Sequence, residues 1–234
     1  MNNLVIKEDE EKICFGDYSD ITIKKGGKLH YYHIPTNDAE VNIYVEEGGF
    51  CESLLLFCPE KDECKRVKIT VNLDGTGAET ISNAIYLLGK KADYALNMTV
   101  NHLAGNTASN QYAKGILTDS AFLDFVGLVN INPNLKDISG NQLNEAMILS
   151  EQARIKCIPE LSILSEDVKC THGASLGNLD EQQLFYLQSR GLPYDTARYL
   201  ILSSFTNALT DKIADSEIKN DFCERISKWL KQNL

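Results

Sequence analysis

Val67-Lys68-Ile69-Thr70-Val71-Asn72-Leu73 alternates apolar and polar side chains and runs into Asp74-Gly75-Thr76-Gly77. Successive side chains of an extended chain point to opposite sides, so Val67, Ile69, Val71 and Leu73 share one face. β-Branched and aliphatic residues at every second position, closed by turn formers, describe a half-buried strand. Val41-Asn42-Ile43-Tyr44-Val45 repeats the pattern and ends at Glu47-Gly48-Gly49. Further candidate strands are Ile21–Ile23, Ser53–Phe57, Thr80–Leu88, Tyr94–Val100, Ala113–Leu117, Phe122–Ile131, Ala146–Leu149 and Glu160–Leu164. No long amphipathic helix separates them, which excludes regular βαβ units. A sandwich, a barrel or a β-solenoid remains. Three features favour the solenoid: hairpin dipeptides are nearly absent, the strand spacing is uneven, and Asn97, Asn101, Asn106 and Asn110 recur near strand ends.

The pattern changes after Gly177. Asn178-Leu179-Asp180 precedes Glu181 and Gln182, a helix start with acid in the first turn. Gly191 and Pro193 stop that helix. A second helix opens at Asp195 with Ala197, Leu200, Ile201 and Phe205 as its apolar stripe, and a third runs from Ser216 to Lys231. The expected division is a β core over 1–177 and a helical unit over 178–234.

Net charge is −10 and the pI is near 4.9, so a phosphate backbone is repelled and nucleic-acid binding is not expected. No stretch approaches the roughly 20 apolar residues of a membrane span. The N-terminus has no basic-then-apolar leader, so a cytoplasmic location is expected. The seven cysteines are unevenly spaced with no CxxC pair, and most are read as small buried hydrophobes. No GxxxxGK[ST] occurs, and Lys114-Gly115 and Asp74–Gly77 read as turns. His30 and His33 read as part of a strand face.

Cys170 and His172 are the candidates for chemistry; the other reading of the pair is a buried cysteine and a hydrogen-bonded edge histidine. Two apart on an extended chain, they face the same side, where a thiolate and an imidazole can meet one metal ion or act as nucleophile and base. Either role needs a third group that the local sequence does not supply.

The run VKCTHGASLGNLDEQQLFYLQSRGL, Val168 to Leu192, resembles the SufD side of the SufB/SufD family of iron–sulfur cluster assembly scaffold subunits. Val100–Ala104 with Ser109–Tyr112 and Lys114–Leu117 is similar to a second family block. Asn141-Gln142, Ile148–Glu151 and Pro159–Leu161 are similar to a third. The resemblance implies a right-handed parallel β-helix with a small C-terminal helical domain. It further implies pairing with a SufB-like subunit, or with itself as a dimer, through the β-helix, and docking of a SufC-like ABC ATPase on the C-terminal helices. The implied cargo is a transient iron–sulfur cluster or iron. Cys170 and His172 are the expected ligands and His102, from the second block, a weaker one. In SufB a glutamate follows the equivalent histidine and a cysteine lies upstream. Gly173 and Ala153 stand at those places, which points to a SufD-like subunit without catalysis of its own. Family members carry an N-terminal helical region, so this chain reads as a short form. The alternatives are a β-solenoid polysaccharide lyase or hydrolase and a purely structural subunit.

Overall fold

The computed structural model describes residues 2–233. Fourteen strands come first: β1 (Asn3–Ile6), β2 (Glu11–Phe15), β3 (Asp20–Ile23), β4 (Lys28–His33), β5 (Ala39–Val45), β6 (Phe50–Phe57), β7 (Cys64–Leu73), β8 (Glu79–Leu88), β9 (Asp93–His102), β10 (Thr107–Leu117), β11 (Phe122–Ile131), β12 (Ile138–Ile148), β13 (Arg154–Ile163) and β14 (Val168–Gly177). Three helices follow: α1 (Glu181–Ser189), α2 (Tyr194–Thr210) and α3 (Ser216–Asn233). Odd strands form one seven-stranded sheet and even strands another, all in parallel pairs. The chain thus crosses from sheet to sheet at every step, and the fold is a parallel β-solenoid.

Stacking in register turns each inward position into a column. On the odd sheet, Ile6, Ile23, Val45, Leu73, His102, Ile131 and Ile163 fall in line, and His102 alone interrupts that apolar column. Side chains bonded across neighbouring turns lie 22 residues apart near the N-terminus and 29 apart later, as in Lys24–Glu46 and Ser53–Ser82. On the outer face of the odd sheet, Asn101 Nδ2 donates to Asn72 Oδ1 at 2.8 Å and Asn130 Nδ2 to Asn101 Oδ1 at 3.4 Å, an amide ladder along the stack.

The even sheet is covered on both sides. Its inner face closes the solenoid. Tyr32, Leu54, Leu56, Ile85, Leu87 and Ile116 on its outer face pack against Leu202 and Leu209 of α2 and Phe222, Ile226, Trp229 and Leu230 of α3. Double coverage explains why Leu54-Leu55-Leu56-Phe57 and Ile85-Tyr86-Leu87-Leu88 are continuous apolar runs while Val67–Leu73 alternates. Asp180 caps α1 by accepting from the backbone N–H of Gln182 and Gln183. In α2 the buried stripe is Ala197, Ile201, Leu202, Thr206 and Leu209. Leu200, expected there, is 44% exposed because the helix meets the sheet through the neighbouring row.

Lys114-Gly115 is not a turn but lies in the middle of β10. A Cβ at Gly115 would come within 1.6 Å of the Tyr86 ring, which crosses over it. The ring cannot swing aside freely, because Tyr86 Oη donates to Asn144 Oδ1 at 2.6 Å. Glycine is therefore required by close packing. Gly115→Ala is expected to lower stability by about 1–3 kcal/mol, the usual range for an overpacked core, as read by urea unfolding. Wild-type stability would mean that the Tyr86 ring is free to move.

Candidate functional site

The solenoid ends at β13 and β14, each paired on one side only, to β11 and β12. Register places Cys170 and His172 in inward columns of the even sheet. His172 continues the column Tyr31, Ser53, Ser82, Gln111, Gln142. Cys170 continues Leu29, Cys51, Thr80, Ser109, Gly140. Both lie on the face that earlier strands turn to the core. With no further strand over them, His172 is exposed and Cys170 half-buried.

From Ser53 and Thr80 onward both columns are polar except at Gly140. Ser53 and Ser82 share a hydrogen bond of 3.1 Å, and Thr80 Oγ1 donates to the Cys51 carbonyl at 3.0 Å. Gln111 Nε2 crosses the core to the carbonyls of Met98 and Leu128 on the odd sheet. Gln142, one turn nearer the rim, is 3% exposed, yet neither its Nε2 nor its Oε1 has a partner. Cys170 Sγ lies over Gly140, 3.2 Å from where a Cβ there would stand. Burial pushes the Cys170 thiol up, and the backbone of Gly140 opposes that shift.

His102 is fully buried. Its Nδ1 meets Thr107 Oγ1 at 2.7 Å and its Nε2 meets Ser109 Oγ at 2.9 Å. Ser109 belongs to the Cys170 column, with Gly140 between them, so His102 touches that column without reaching the rim. Both ring nitrogens are engaged by hydroxyls. Among the described residues, no three His, Cys, Asp or Glu side chains converge as a metal-holding group. The rim therefore offers a thiol and an imidazole side by side and lacks the further ligands that iron needs.

His33 Nε2 meets Asp17 at 2.5 Å, and His30 Nδ1 meets Glu52 at 2.8 Å. These acidic partners come from other turns, so local spacing hides them. Only Cys14 and Cys51 of the seven cysteines are fully buried. Cys64 is exposed, and Cys58, Cys157, Cys170 and Cys223 are intermediate. No local sequence motif marks Cys157 of β13. It accepts a hydrogen bond from Asn144 Nδ2 at 3.2 Å. Outward carboxylates such as Glu46, Glu47 and Glu40 each pair with a lysine one turn away, which gives them a stacking role. Among the described residues, no helix is long and apolar enough to cross a membrane.

The family described as SUF system FeS cluster assembly, SufBD core domain, matches residues 6–205. The chain is 29% identical over 165 residues to the iron-sulfur cluster assembly protein SufD of Escherichia coli (strain K12), covering 70% of this chain and 39% of that protein. An iron-sulfur cluster assembly SufBD family protein of Synechocystis sp. is 33% identical over 147 residues, covering 63% of this chain and 32% of that protein. The iron-sulfur cluster assembly protein SufB of Bacillus subtilis (strain 168) is 23% identical over 236 residues, covering 90% of this chain and 49% of that protein. The chain thus spans less than half the length of these relatives.

Burial pushes His102 down to about 4. The unfolded chain then takes up the proton more readily than the folded one. The stability that neutral His102 contributes is complete above its unfolded value, near pH 6.5, and is lost as pH falls toward about 4. The full effect is roughly 3 kcal/mol. His102→Gln, which hydrogen-bonds without titrating, is expected to flatten the acid-side loss of stability between those limits in urea unfolding. An unchanged slope would place the acid sensitivity on another group.

Proposed function

This chain belongs to the SufBD core domain family of SUF system FeS cluster assembly, and on that premise we propose that it acts as a SufD-like, non-catalytic scaffold subunit. The observation that carries the reading is the open end of the solenoid. Cys170 and His172 occupy inward columns of a terminal strand, so a second β-solenoid laid against that end would enclose them and add the missing ligands. The partner is a SufB-like subunit or a second copy of this chain, and the cargo is iron or an iron–sulfur cluster held in transit.

The helical segment 178–234 is proposed to dock a SufC-like ATPase. Phe185 and Tyr186 of α1 are 72% and 56% exposed, and Tyr194 of α2 is 49% exposed. Large exposed aromatics on a helical face suit a protein partner better than water. The same segment grips the even sheet, which ends in β14. Lys114 Nζ sits 4.3 Å from the Phe205 ring centre on α2 and 3.2 Å from Glu145 on β12, which also accepts a hydrogen bond from Tyr112. A force on α2 therefore reaches the sheet that bears Cys170 and His172, a shear-type coupling.

Anaerobic reconstitution with ferrous iron and sulfide, for the chain alone and mixed with a SufB-type subunit, tests the ligand role. Cys170→Ser/His172→Ala is expected to reduce bound iron by about 10-fold or more, as loss of two ligands should. Equal loading would make this a structural subunit with an inert rim. Phe185→Glu is expected to weaken binding of a SufC-type ATPase by about 10-fold or more, the effect of losing an aromatic anchor, with an unchanged melting temperature. Undiminished binding by calorimetry would move the docking site off α1.

A further inference from the structure

The rim carries a second thiol. Cys157 lies on β13 of the opposite sheet, with Phe125 as its register partner. Phe125 is core, so Cys157 continues an inward column to the open end. Its sulfur is held: Asn144 Nδ2 donates to Cys157 Sγ at 3.2 Å, and Asn144, fully buried, receives the Tyr86 hydroxyl at 2.6 Å. A hydrogen-bond chain thus runs from a core tyrosine through a core amide to a thiol at the rim. Burial pushes the Cys157 thiol up, and the hydrogen bond from Asn144 opposes that shift. The same bond fixes the sulfur, as groups behind a metal-binding side chain do.

Gln142 lies on the strand beneath the rim. Its amide spans the core and ends against Gly127 of β11, where a Cβ would meet its Nε2 at 1.5 Å. Gly127 lies two positions from Phe125, the residue beneath Cys157. Gln142 is also the register partner of His172, and Asn144 that of Ala174. The unpartnered amide therefore spans from the His172 column to that of Gly127, whose rim partner Pro159 lies two positions from Cys157. Gln111, one turn below, bonds two carbonyls of the facing sheet through Nε2, with only its Oε1 unpartnered. A carboxamide buried with neither atom paired is costly unless something polar arrives to meet it.

We propose that Cys157 is a further iron or cluster ligand of this chain, supplied from the sheet opposite Cys170 and His172, with Asn144 and Gln142 as the positioning residues around it. The inference rests on the scaffold reading above. It adds that this subunit grips its cargo from both sheets, so the cargo would sit across the mouth of the solenoid and not along one edge. Cys51, sealed deep in the core with its thiol pushed up to about 12, has no such role.

The test is alkylation mapping of the anaerobically reconstituted chain, alone and with a SufB-type subunit, using iodoacetamide and mass spectrometry. Cys157 is expected to label more slowly in the iron-and-sulfide-loaded protein than in the metal-free protein, while Cys223 on α3 labels equally in both. Cys157→Ser should lower bound iron. Asn144→Leu should weaken iron binding by about 10-fold or more, as removal of an orienting group does. A Cys157→Ala variant that keeps the wild-type melting temperature separates ligand loss from misfolding. If the wild type loads iron but Cys157 labels at the same rate in both states, or Cys157→Ser loads fully, the Cys157 assignment is overturned and the scaffold reading stands. If the wild type loads no iron in either mixture, both fall.

Discussion

Parallel stacking in register is the interaction on which everything else depends. Each interior strand bonds to the strand one turn before and one turn after it, so a side chain's place in the core is set by the residue 17 to 32 positions away in sequence. A slip of one residue would turn every inward side chain outward. Columns are therefore uniform where they can be, as from Ile6 to Leu73. Where they change character, the change must be answered from within the core. His102 is answered by Thr107 and Ser109, and Gln111 by two carbonyls of the facing sheet.

The helical tail obeys the same constraint from outside. The even sheet carries Leu54, Leu56, Ile85, Leu87 and Ile116 on the face away from the solenoid, an apolar surface too large to leave in water. Helices α2 and α3 cover it, and their own apolar faces are buried there. The tail is consequently keyed to one sheet, the one whose last strand bears Cys170 and His172. That common sheet links the exposed aromatics of α1 and α2 to the rim.

What could be read in advance follows from the range of each interaction. The alternation of Val67–Leu73 and Val41–Val45 is local and predicts those strands correctly. The shared face of Cys170 and His172 follows from their spacing alone. Lys114-Gly115 misleads because the reason for its glycine, the Tyr86 ring, lies one turn away on β8. His30 and His33 likewise find their acidic partners on other turns. Leu200 fits the helical period, but the row that meets the sheet depends on how α2 is docked. Cys157 has no local motif at all. Its signal is Asn144, which sits on the other sheet and is itself set by Tyr86.

The columns also have a direction. In the His172 column, the serines at Ser53 and Ser82 give way to Gln111, Gln142 and finally an imidazole. In the Cys170 column, Leu29 gives way to hydroxyls, a glycine and a thiol. A solenoid needing only to end would do better with apolar columns and a covering loop, since each unpaired buried amide costs about 1–3 kcal/mol. Here two inner columns of the even sheet grow more polar toward the uncovered end, and, among the described residues, the one buried glutamine with neither amide atom bonded stands in the last turn before it. Folding alone gives no reason for that gradient. The proposed scaffold role supplies one: a polar or metallic cargo, with the subunit that closes over it, would bring partners to Gln142 and further ligands beside Cys157, Cys170 and His172.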